Sequence, residues 1–269
     1  PADDVGPQPL NTIHALVSVM LPHLVMRSPQ ALVRPRRPGL QAAAERLELA
    51  WNHLAGEIDL GTSLRSAVTD AMFGAGVLKT GLGPTAEAAD GDDAPHDNGR
   101  PFADPVDLDD YVLDPRVRRR EQAAFEGDRY RLPRQRVLAS GLYDRAGVEA
   151  LPATDTDAAG QADSGARQTV VELVDLWLPR ERMVVTVPGR GDATGFLRET
   201  PWDGDDRGPY ELLGFHWAPM SPLPVPPVAL VYDLHVMINK GARKLARQAD
   251  RQRDLLLFDH RACEEAEAV

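Results

Sequence analysis

Hydrophobic residues return at helical spacing in three stretches near the start of the chain. Ile13, Leu16, Val17, Met20, Leu21, Leu24 and Val25 follow Asn11. Asparagine is a good helix cap, so the pattern predicts a buried or interface helix that Pro22 kinks or ends. Leu40, Ala44, Leu47, Trp51, Leu54 and Ile58 step by four and three, with Glu45, Arg46 and Glu48 off the stripe, and predict a helix from 39 to 58. Thr62 and Ser63 are candidate caps for a third helix carrying Leu64, Val68, Ala71 and Met72. Gly74 and Gly76 end it before a short strand at 77–80.

The period then fades. Residues 81–99 are rich in Gly, Ala, Asp and Pro, and 152–166 likewise, which predicts two solvated loops. Between them lies a helical stretch near 133–150. After them "TVVELVDLWL", "RMVVTV" and "TGFLRE" concentrate β-branched residues between short polar turns, the pattern of an antiparallel meander over 169–200. Pro219, Pro222, Pro224, Pro226 and Pro227 keep 218–227 extended. A long helix is predicted to follow, from 228 to 254. Val231, Leu234, Met237 and Ile238 make its start apolar, whereas Lys240, Lys244, Arg247 and Arg251 step by four and three into a basic stripe with Arg243 beside it.

Charge makes that stripe unusual. From Lys240 to Arg253 there are six cations against Asp250, a local +5 in a chain of net charge -11, so the remainder holds -11 - 5 = -16. A helix polar on nearly all sides needs either an acidic neighbour or a polyanion. The 269 residues, 43% hydrophobic and 26% charged, suffice for one large or two smaller domains with a buried core. The single cysteine, Cys263, excludes an internal disulfide and a Cys-rich zinc site. "IHALVSVMLPHLVM" has the length of a buried helix and contains two histidines and a proline, so no membrane span is expected.

Catalytic motifs are weak. "GAGVLKTG" has Leu78 where a phosphate-cradling loop needs glycine before its lysine, and it follows a helix where a dinucleotide fingerprint follows a strand. It reads as a helix end leading into a strand. Asp104, Asp107, Asp109, Asp110 and Asp114 crowd "FADPVDLDDYVLDP", yet an EF-hand's glycine and terminal glutamate are missing, which favours turn and capping roles over Mg²⁺ or Ca²⁺. The seven histidines form no HExxH, and a lone one such as His235 is expected to be packed or hydrogen-bonded. No catalytic, cofactor or metal residue is therefore assigned.

Taken in order, "AAAERLELAWNHLAGEIDL", "AVTDAMFGAGVLKTG", "VDLDDYVLDPRVRRREQAAF", "MSPLPVPP" and "LVYDLHVMINKGARKLARQADRQRDLL" resemble the portal (head-to-tail connector) proteins of tailed bacteriophages. The resemblance covers most of the chain and rests on the order of the pieces. It implies an α+β fold with a wing-like region at 1–227, a stem-like helix at 228–254 and the start of a clip-like region at 255–269, the chain then being a fragment. It also implies a dodecameric ring at a capsid vertex of the virion, assembled in the bacterial cytoplasm. Double-stranded DNA would pass through the ring, and the terminase large subunit, head-completion proteins, capsid and scaffold would dock on it. No enzymatic activity and no cofactor are implied. On this expectation Lys240, Arg243, Lys244, Arg247 and Arg251 lie at a subunit interface or along the DNA channel. Two other classes compete: a metal-dependent DNA-processing enzyme using Asp104 to Asp114, and a nucleic-acid-binding module led by the basic helix.

Overall fold

The computed structural model describes residues 10–25, 29–83, 99–152, 154–156, 168–190 and 195–251. Among them the chain is mixed α+β, with six α-helices and two antiparallel sheets. It parts into two compact units, one of Pro1–Leu16 with Val231–Val269 and the other of Val17–Leu230. The predicted clip-like stretch 255–269 and the core of both predicted acidic loops lie outside the described residues.

Helix α1 spans Thr12–Leu24, and the Asn11 side chain accepts from the His14 amide as its cap. Pro22 falls in the last turn, where the helix is about to end. Helix α2 is Gln41–Glu57, close to the predicted bounds, but its apolar stripe is only partly buried. Ala44 and Ala55 are covered, whereas Leu40, Leu47 and Trp51 are each half exposed or more. The chain covers the helix from its other side. Asn52 there pairs with both the amide and the carbonyl of Ala31, and Glu48 accepts from the Val33 amide.

Helix α3 runs over Leu60–Phe73, starting earlier than the predicted caps Thr62 and Ser63. Asp59 makes the junction in the left-handed region, φ 47°, and its carbonyl already accepts from the Thr62 and Ser63 amides. Val68, Ala71 and Met72 are buried as the pattern requires. Strand β1, Gly76–Gly83, follows and packs directly on α3. A methyl group on Gly76 would collide with the Ala67 carbonyl, and one on Gly74 with Leu108. The glycines of "GAGVLKTG" thus let a helix lie close on a strand.

The first sheet has the order β2–β1–β9, with β2 at Arg100–Val106 and β9 at Tyr210–Leu213. The second follows the path β3–β4–β6–β7–β8: Tyr111–Leu113, Glu126–Pro133, Gln168–Leu178, Met183–Pro188 and Arg198–Pro201. A short strand β5, Thr154–Thr156, adds to β6 from within the predicted second loop. The single helix expected near 133–150 is two short ones, α4 at Arg134–Ala139 and α5 at Arg145–Ala150. Gly141, at φ 63°, lies between them, and the Asp144 side chain caps the second through the Gly147 amide.

Two apolar clusters hold this unit. Val137 of α4, Val148 of α5 and Leu151 just after it pack with Val171, Leu173 and Leu197. Val77, Val106 and Tyr210 of the first sheet pack with Trp177 and Val184 of the second. Strand periodicity explains why β6 serves both clusters: Val171, Leu173, Asp175 and Trp177 alternate onto one face, and all are buried. Asp175 is the polar member of that row.

Residues 218–226 are non-helical, as their prolines dictate, but they turn at 219–220 and bend at 222–223 where an extended run was expected, and α6 begins at Pro227 and is described to Arg251. No described helix is long and apolar enough to cross a membrane.

Candidate functional site

Lys240, Arg243, Lys244, Arg247 and Arg251 all lie on α6 and are all exposed. Among the described residues none of them forms an ion pair with its own chain. Helical spacing divides α6 from Val231 onward into three faces. Val231, His235, Asn239 and Ala242 form the covered one. There the Asn239 amide donates to the Leu10 carbonyl at 3.1 Å and accepts from the Leu10 amide at 2.8 Å, while His235 Nδ1 lies 2.6 Å from Thr12 Oγ1. The lone His235 is thus a hydrogen-bonded residue, as expected.

The second face carries the cations. The third is apolar and open: Leu234 is 51% exposed, Met237 64% and Leu245 68%, with Ile238 beside them. The sequence pattern foresaw the apolar start of the helix but not that it continues past Gly241 to Leu245 as a stripe running alongside the basic one.

The aspartates of 104–114 do not converge. Asp104, Asp107, Asp109 and Asp110 are exposed. Asp107 accepts from the Asp109 amide, and the buried Asp114 accepts from the amides of Arg116 and Ala124. These are turn-closing roles. Among the described residues no group of three or more His, Cys, Asp or Glu side chains could hold a metal ion.

Sequence reasoning missed a second centre. Strand register aligns Tyr111, Asp128, Asp175, Thr186 and Arg198 in one rank across β3, β4, β6, β7 and β8. Asp128 and Asp175 are buried and directly opposite, an arrangement of like charges that destabilises a sheet. Lys79 of β1 enters from the other sheet, with Nζ 2.7 Å from Asp128 Oδ1 and 2.8 Å from Asp175 Oδ2. Tyr210 donates to Asp128, and Tyr130 and Thr186 donate to Asp175. The rings of Tyr130 and Tyr210 also stand 5.3 and 5.8 Å from the ammonium.

Burial works against the charge on Lys79, but the two aspartates outweigh it and hold its pKa above the ordinary lysine value. For Asp175, burial pushes upward and is outweighed by Lys79, Thr186 and Arg198, so its pKa is lowered. Burial, reinforced by the neighbouring carboxylates, drives the phenols of Tyr130 and Tyr210 far up. A lysine locked in its charged form is the reverse of what a nucleophilic or Schiff-base lysine requires. The centre ties two sheets together beside a cavity of about 410 Å³ that Phe102, Trp202 and Arg198 also line.

No protein-family model matches the chain, and a search of the curated proteins finds no match.

Proposed function

We propose that this chain is a portal-like subunit, a wing-like α+β region leading into a stem-like helix, that assembles into a ring through which double-stranded DNA passes at a capsid vertex. The observation that carries the reading is α6, on which an open apolar stripe runs beside an open cationic one. Exposed side chains of this size gain about 1.5–3 kcal/mol each when buried, so a helix presenting several in line is built for a neighbour. Leu47 and Trp51 on α2 leave a second apolar face uncovered. The order of the elements adds support, since helices, sheets, a proline-rich lead and a long helix follow one another as in portals. In a ring each cationic stripe meets the next subunit, whose net charge is negative. Terminase, head-completion proteins, capsid and scaffold are the partners this reading implies, and the virion is its location.

Light scattering after size exclusion, with electron microscopy of the peak, tests the proposal on the full-length protein. A large closed ring is expected. A monomer or dimer at all concentrations sinks the reading.

The open cations also favour a second one, a nucleic-acid-binding module. It requires salt-dependent binding of duplex DNA by a monomer or dimer near physiological ionic strength. A ring whose channel lets DNA slide requires weak binding instead.

A further inference from the structure

We infer that a cleft in the larger unit, between the arginines after β3 and the proline-rich loop before α6, is a docking site for an acidic peptide segment bearing an apolar side chain. The cleft has a volume of about 630 Å³. Its polar wall is Arg118, Arg119 and Arg207, all exposed and without an ion pair among the described residues. Arg120, next in line, is already committed: its guanidinium lies on Glu126, 2.9 Å away, and reaches the Tyr210 carbonyl. The three free guanidinium groups are therefore surplus to what the fold uses.

The facing wall is apolar and presented by a pinned loop. His216 and Val225 form an isolated β-bridge that closes the loop at its base, and Ser221 bonds inside it to the carbonyls of Ala218 and Leu223. On this loop Trp217 is 52% exposed and Met220 55% exposed. Met220 also stands at φ 66°, a conformation that side-chain-bearing residues rarely adopt and that the surrounding bonds must hold. A rigid loop that spends backbone strain to hold a large apolar residue in water, opposite a tryptophan and free arginines, has the composition of an interface centre. Trp, Arg and Met are the residue types enriched there, and a preformed loop lowers the ordering cost of binding.

Glu121 and Glu211 decide the class of partner, because they line the same cleft. A continuous phosphate chain would run past them and be repelled. A peptide can set its carboxylates on the guanidinium groups, offer its own amides to the glutamates and rest an aliphatic or aromatic side chain on Trp217 and Met220.

Fluorescence anisotropy on the 269-residue chain tests this with three labelled probes of equal charge: a short peptide with Leu and Phe among Asp and Glu, a glutamate-only peptide, and a single-stranded thymidine oligomer. The mixed peptide is expected to bind saturably and more tightly than the other two. Trp217→Ala and the double change Arg119→Glu with Arg207→Glu are each expected to weaken it by about tenfold or more. The arginine pair is exposed, so that variant folds even if Trp217→Ala does not, as circular dichroism will show. A peptide with Lys in place of the acids is expected to bind the reversed variant better than the parent. Absence of saturable binding, equal binding by parent and arginine variant, or tighter binding of the oligonucleotide each overturns the inference.

Discussion

Asp128 and Asp175 face each other across adjacent strands, and the Lys79 ammonium of the opposite sheet lies within 2.8 Å of both. Neither carboxylate is tolerable there alone. The rank is stable as a unit because each charge is both paired and hydrogen-bonded.

Removing the lysine exposes this dependence. Lys79→Met keeps the aliphatic bulk but leaves two buried carboxylates opposed, and it is expected to cost about 3–5 kcal/mol in urea unfolding. Adding Asp128→Asn to Lys79→Met is expected to recover part of that loss. An unchanged midpoint in the single variant would show that the triad contributes nothing.

The same centre predicts a pH profile. The Asp175 pKa is lowered in the folded state, so its contribution is full above the unfolded value, near 3.8, and is lost as pH falls through the folded value. Lys79 is raised, so its contribution is full below the unfolded value, near 10.5, and is lost as pH rises through the folded one. Stability of the parent should therefore hold between these limits and fall outside them. The gap between the parent and Asp175→Asn should close on the acid side, as measured by denaturant unfolding at a series of pH values.

On α6 the charge reversal Lys244→Glu with Arg247→Glu is expected to weaken ring assembly while circular dichroism and thermal unfolding stay as in the parent, since both residues are exposed. Substitutions at such surface positions usually shift monomer stability by less than about 0.5 kcal/mol. Assembly like the parent's would make the stripe a solvated face only.

The apolar stripe makes a separate prediction. Leu234→Glu with Met237→Glu is expected to abolish assembly and raise the solubility of the monomer, because both side chains are more than half exposed in the single chain. Light scattering reads the outcome, and a ring that persists would move the contact to another face.

Asn239 predicts a local effect. Asn239→Ala removes the partner of the Leu10 amide and carbonyl, at a cost of about 1 kcal/mol, since Leu10 is half exposed and water can replace the lost bonds. Faster amide exchange from residue 10 to the first turn of α1 is the expected signature, with the second sheet unaffected.

How much of this was legible beforehand depended on whether a pattern is local. The helices carried their own period, and Asn11 and the proline run marked two boundaries without any tertiary knowledge. Five described strands went unseen: "RPFADPV" contains two prolines and an aspartate, "YVL" and "TDT" are three residues long, and "EGDRYRLP" and "YELL" alternate charged with apolar positions that only a partner sheet makes meaningful. The rank at Asp128 and Asp175 was invisible for the same reason. Those residues are 47 positions apart, since 175 - 128 = 47, and strand register alone makes them neighbours. The stripe on α2 was read correctly as a face, but periodicity marks a face without saying what covers it, and here the chain covers Ala44 and leaves Leu40, Leu47 and Trp51 half exposed or more.

The opposed aspartates also set an order of events. A nascent second sheet that pairs β4 with β6 before Lys79 arrives must close on two like charges, eased within that sheet only on the Asp175 side, by Tyr130, Thr186 and Arg198. Docking of β1 removes the conflict at once. The two sheets are thereby coupled during folding, so the hairpins of the second should gain protection from exchange only in the step that brings the first sheet onto them.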